Sequence, residues 1–165
     1  MKNSLYDSTI PVFVKFLGIL LKLTGKGESF AKRKKRTEKF LLEARLAPDM
    51  FTYTQQVQYA YFMALETATV LSGRPMPEFA YDEKTVKELK KSLARAIAFL
   101  KTVRPKELAT AHKKKIKTFI DPKKRFAAVH YVHMLAIPNF FFHVTTAYDI
   151  LRHLGVSIGK DDYLG

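Results

Sequence analysis

The residues most able to do chemistry sit at the two ends of the chain's middle. His143 lies deep in the apolar run Phe140-Phe141-Phe142-His143-Val144, and Asn139 precedes it by four positions, one helical turn. Gln56 lies in the polar string Thr54-Gln55-Gln56-Val57-Gln58, beside an apolar stripe of a second helix. A helical bundle builds a metal or ligand site from such inward donors on facing helices, because its backbone groups are already bonded. One imidazole with two amides is a weak set for zinc or nickel, since neutral amide oxygens suit those metals poorly. The same three residues equally suit a buried polar network. His130 and His133 are three apart and share a helical face in Ala128-Val129-His130-Tyr131-Val132-His133. They read either as further ligands of the same pocket or as structural histidines bonding within the bundle.

Other chemistries find no support. The chain has no cysteine, so it has neither disulfides nor a thiol nucleophile. There is no glycine-rich phosphate loop, no Gly-x-Ser-x-Gly elbow and no defensible Ser-His-Asp set. Phe140, Phe141 and Phe142 read as core; any that line a pocket near His143 would make it apolar and narrow.

Four amphipathic helices would position these groups. The first runs from Ser8 to Leu23 and stops at Thr24-Gly25-Lys26-Gly27. A basic segment with a short helix follows, and this roughly 25-residue link reads as a crossover. The second starts near Pro48 and ends at Ser72-Gly73, with Val57, Tyr61, Ala64, Ala68 and Leu71 inward. The third covers Asp82 to Val103. The fourth runs from Pro138 to Gly155, with a separate short helix over Phe126 to Ala136 before it. Between the third and fourth, Ile116, Thr118 and Ile120 alternate with Lys115, Lys117 and Phe119, and Asp121-Pro122 marks a turn, the pattern of a short hairpin or extended excursion. The 165 residues, 47% of them hydrophobic, thus read as one all-α bundle domain over 1–165.

The net charge of +14 is concentrated in Lys32–Arg36, Lys113–Lys117 and Lys123–Arg125. It reads as a lysine-rich soluble surface, with nucleic acid or another anion as the alternative partner. No apolar run spans a bilayer, and the N-terminus lacks the pattern of a secretory signal, so a cytoplasmic location is expected.

Long strings of the chain resemble an uncharacterised bacterial family within the DinB/YfiT-like superfamily of inferred metalloenzymes. They are Leu5-Tyr6-Asp7 with Pro11-Val12-Phe13, Ala44-Arg45-Leu46-Ala47-Pro48-Asp49-Met50-Phe51 with Gln56-Val57, Pro138-Asn139-Phe140 with His143 through Arg152, and the ending Gly159 through Gly165. The resemblance implies a four-helix bundle in up-down-down-up order, often a homodimer. It further implies a divalent metal, nickel or zinc among others, held by one histidine of the second helix and a His-x-x-x-His pair of the last. Some members use that metal to activate a thiol for transfer or isomerisation. Those ligand positions fall here on Gln56, Asn139 and His143, so two of the three histidines are replaced. The expected function is therefore a bundle with a polar pocket for a small ligand or a weakly held divalent metal. The alternatives are a metal-dependent thiol transferase or hydrolase, and a basic-surface nucleic-acid binder.

Overall fold

The computed structural model describes residues 5–118 and 123–165. Helix α1 spans Ile10–Arg33 and a short α2 spans Glu38–Leu42. Helix α3 covers Tyr53–Ser72 and α4 covers Val86–Thr102. A single turn, α5 (Pro105–Leu108), precedes a two-residue antiparallel pair of strands, β1 (Lys115–Ile116) and β2 (Phe126–Ala127). Lys115 pairs with Ala127 and Ile116 with Phe126. The Asp121-Pro122 turn expected between them lies outside the described residues. Helices α6 (Ala128–Tyr131) and α7 (Ile137–His153) flank a π-helical stretch over Val132–Ala136, and α8 (Lys160–Leu164) ends the chain.

The long helices form the expected up-down-down-up bundle, and its directions follow from paired contacts. Phe13 packs on Phe140 near one end and Gly27 on Leu151 near the other, so α1 and α7 run parallel. Glu28, late in α1, takes an ion pair from Lys90, early in α4, so those two run antiparallel. The hydroxyls of Thr24 and Tyr53 meet at 2.8 Å, which places the start of α3 beside the later part of α1. Helices α3 and α4 are therefore parallel, and the link between them must return the whole length of α3. Twenty residues of helix rise about 30 Å, and an extended strap of twelve residues reaches that far. The strap from Arg74 to Thr85 does this. At its start Arg74 forks onto Glu107, with Nε and Nη2 at 2.6 and 2.8 Å from the carboxylate. Near its end Glu83 meets Gln58, in the first two turns of α3. The crossover is thus this strap, not the link after the first helix.

Helix bounds also differ from the sequence reading. Helix α1 continues ten residues beyond Leu23, because Gly27, Phe30 and Ala31 carry the buried stripe onward. Gly27 stays helical because its missing side chain admits Leu41 and Leu151; a Cβ there would lie 3.0 Å from Leu151 Cδ2. Helix α3 begins at Tyr53 rather than near Pro48, set by a capping box in which Thr52 and Gln55 exchange bonds. Thr85 and Glu88 do the same for α4, which leaves Asp82 and Glu83 in the strap. Pro138 does not start the last helix. It lacks the N–H that would bond the Met134 carbonyl, and the wider π turn accommodates that loss within one continuous helical run from Ala128 to His153.

Candidate functional site

The seam between α3 and the last helical run is a ladder of polar pairs. Gln56 meets His143, Met63 meets Asn139, and Thr67 meets Tyr131, so the numbers rise on one helix as they fall on the other. Gln56, Met63 and Thr67 are seven and four apart, on one face of α3. The Thr52–Gln55 capping box fixes where α3 starts and hence where Gln56 points.

At the outer rung Gln56 Oε1 lies 2.6 Å from His143 Nδ1. Both side chains are buried, Gln56 at 1% exposure and His143 at 5%. Burial pushes the imidazole down to about 4, so it is neutral at physiological pH. A neutral imidazole has one donor and one acceptor nitrogen. Because the Gln56 carbonyl can only accept, the proton sits on Nδ1 and the Nε2 lone pair is left available. Three aromatic rings surround it. Phe51 stacks at 16° with centroids 6.2 Å apart, Tyr59 tilts at 5.2 Å, and Phe142 stands edge-on at 5.3 Å. All three are solvent-exposed, Phe142 at 54%. The imidazole is thus an uncharged hydrogen-bond acceptor at the floor of an aromatic rim. An acid form this unfavourable also makes it a weak proton acceptor at neutral pH.

Asn139 makes its contact one rung further along the seam. Its Nδ2 donates to Met63 Sδ at 3.3 Å. His130 and His133 are exposed on the outside of the helical run. His130 stacks on Phe126, and ten residues of helix separate His133 from His143, a rise of about 15 Å. The structure therefore brings Gln56 and His143 together, bonds Asn139 to Met63 on the next rung, and leaves His130 and His133 on the outer face. For a divalent metal the seam offers one imidazole nitrogen beside neutral amides, a donor set that does not fit zinc or nickel. Among the described residues, no three His, Cys, Asp or Glu side chains are grouped to hold a metal ion.

Two polar clusters were not read from the sequence. Tyr131, between the two exposed histidines, points inward and donates to Glu66 Oε2 at 3.1 Å, with Thr67 at 3.2 Å. Burial and the Glu66 charge push its hydroxyl well up. Glu83 accepts from Gln58 Nε2 at 2.7 Å and from Tyr61 at 2.8 Å. Burial works to raise the Glu83 carboxyl, but hydrogen bonds from Ser92, Gln58 and Tyr61 outweigh it and hold the group below the usual carboxylate range. Glu83 also lines a cleft of about 860 Å³, with Lys39, Arg45 and Lys84. A signal for Tyr59 was present: it follows Gln56 by three positions and shares its side of the helix.

A family model described as a domain of unknown function, DUF1993, matches residues 5–164. A crystal structure of a DinB family member protein from Shewanella denitrificans is similar, at 37% identity with a TM-score of 0.92. The match covers 98% of this chain and 92% of that one. No curated protein matches the chain.

Proposed function

The chain belongs to the DUF1993 family, and from that premise we propose that it is a DinB-like bundle domain, spanning residues 1–165, that binds a small planar ligand at the imidazole of His143. The observation that carries the reading is the fixed, uncharged Nε2 acceptor inside the rim of Phe51, Tyr59 and Phe142. Such a floor suits a flat organic molecule with one hydrogen-bond donor, held by ring stacking and a single polar contact. Gln56 positions the imidazole. Asn139, His130 and His133 lie outside the contact.

The second reading is a divalent metal, nickel or zinc, held weakly through His143, as in a metal-dependent thiol transferase or hydrolase. It is favoured only by the availability of Nε2, and no reaction step is derived from it. A homodimer is the assembly we infer from the resemblance, and the exposed aromatic rim is apolar surface that a second copy would cover. The lysine-rich runs support nucleic-acid binding only as a salt-sensitive, sequence-independent attraction. No helix among the described residues is long and apolar enough to cross a membrane, in keeping with the cytoplasmic location we propose.

The deciding experiment uses protein purified without chelator or affinity tag, measured for metal and compared with His143→Ala. In parallel, phenol is titrated while the His143 ¹⁵N resonances are followed. We expect substoichiometric metal and a saturable shift of Nε2 on adding phenol. Near-stoichiometric nickel or zinc that disappears in His143→Ala would replace the ligand reading with the metal one.

A further inference from the structure

A separate cavity of about 350 Å³ lies beside the strap, lined by Gln58, Tyr59, Phe62 and Tyr81. Its walls are three aromatic rings set steeply to one another. Tyr59 and Phe62 meet at 63° with centroids 6.2 Å apart, and Phe62 and Tyr81 at 73° and 6.0 Å. The strap supplies Tyr81, held in a left-handed backbone conformation with φ +54°. Gln58 forms the polar wall and is only 8% exposed. Its amide nitrogen donates to Glu83 at 2.7 Å, while its carbonyl oxygen takes no hydrogen bond from the described residues. No described lysine or arginine lies over Tyr59 or Tyr81; the nearby Arg95 covers Phe79 instead, at 4.6 Å.

From this box we infer that the cavity is a binding site for an organic cation of the methylated-ammonium class. Aromatic faces carry negative quadrupoles and attract a cation that has shed its water. The carboxylate of Glu83, one hydrogen bond behind Gln58, adds negative potential on the polar side. A primary ammonium carries three N–H donors, and this lining of mostly ring faces offers them the Gln58 carbonyl and the two tyrosine hydroxyls, Tyr81's unbonded to any described residue. An alkylated ammonium presents methyl groups to the three rings and needs no such partners. The inference does not depend on the reading of His143, since none of its wall residues except Tyr59 touches that imidazole.

The test titrates choline into the purified protein by calorimetry, with 3,3-dimethylbutan-1-ol as the uncharged isostere. We expect saturable choline binding at millimolar concentration or below, and affinity for the isostere lower by roughly three- to thirty-fold. Tyr59→Leu alters an exposed position, so it should keep the melting temperature while abolishing the preference for choline. Glu83→Gln should weaken choline and leave the isostere unchanged. Equal affinity for the two compounds, no saturable choline binding, or full preference retained in a folded Tyr59→Leu protein would each overturn the assignment.

Discussion

The amide oxygen of Gln56 sits 2.6 Å from Nδ1 of His143, across the seam where α3 and α7 run antiparallel. This contact sets which imidazole nitrogen carries the proton and aims the other outward. It also puts a buried polar pair where a well-packed bundle would hold two apolar side chains, so each member depends on the other.

Truncating Gln56 should expose that dependence. Gln56→Ala leaves the Nδ1 proton buried without an acceptor, and we expect a loss of about 1–3 kcal/mol in urea unfolding. The double replacement Gln56→Leu with His143→Phe removes both partners and should cost less than the two single changes summed. Strict additivity would show that the pair is not coupled.

The pH dependence of stability carries the signature of His143. Its folded value, about 4, lies below the unfolded value near 6.5, so the unfolded chain takes up the proton first. Stability from this group is full above that unfolded value and falls as pH drops toward 4, by about 3 kcal/mol across the window, then levels off. His143→Phe should remove that slope, and the ¹⁵N titration of the wild-type imidazole should have its midpoint below pH 5. A midpoint near the ordinary histidine value would contradict the buried, neutral state.

Two glycines of α1 should respond with opposite signs. Gly25 faces open space, so Gly25→Ala should raise stability by about 0.5–1 kcal/mol through helix propensity. At Gly27 the new methyl would press on Leu151 at 3.0 Å and Leu41 at 3.2 Å. Overpacking there costs about 1–3 kcal/mol, more than the propensity gain, so Gly27→Ala should lower the melting temperature.

Tyr81 keeps a buried hydroxyl with no hydrogen-bond partner among the described residues. Burial pushes that hydroxyl up to about 12, with the Glu83 charge adding to the effect. Tyr81→Phe deletes the orphan and keeps the ring, so thermal denaturation should show a gain of about 1 kcal/mol.

The bundle was legible in the sequence because its helices bury regular stripes, such as Leu89, Leu93 and Leu100 in α4. The pairing of Gln56 with His143 was legible as well, through the resemblance and through their places beside apolar faces. The end of α1 was not, since Gly25 and Gly27 stop an isolated helix, and only the approach of Leu41 and Leu151 makes glycine suitable inside this one. The direction of Asn139 was missed because helical spacing places it with His143, while Met63 on the opposite helix claims its amide. His130 and His133 share one face as the spacing requires, but that face is the outer one, with Tyr131 taking the inward position.

The π turn at Val132–Ala136 has a consequence for how this end of the molecule tolerates change. A π turn is one residue more than the α-helical path requires, in effect an insertion absorbed without breaking the rod. Deleting one residue from this stretch would therefore restore an α-helical turn and leave the two flanks in phase, with Tyr131 still aimed at Glu66 and His143 at Gln56. Pro138 would then sit in a regular α-helical ladder, where its ring and its missing N–H are costly. A single-residue deletion here would be felt as lost stability at the proline and not as a re-aimed end of the protein.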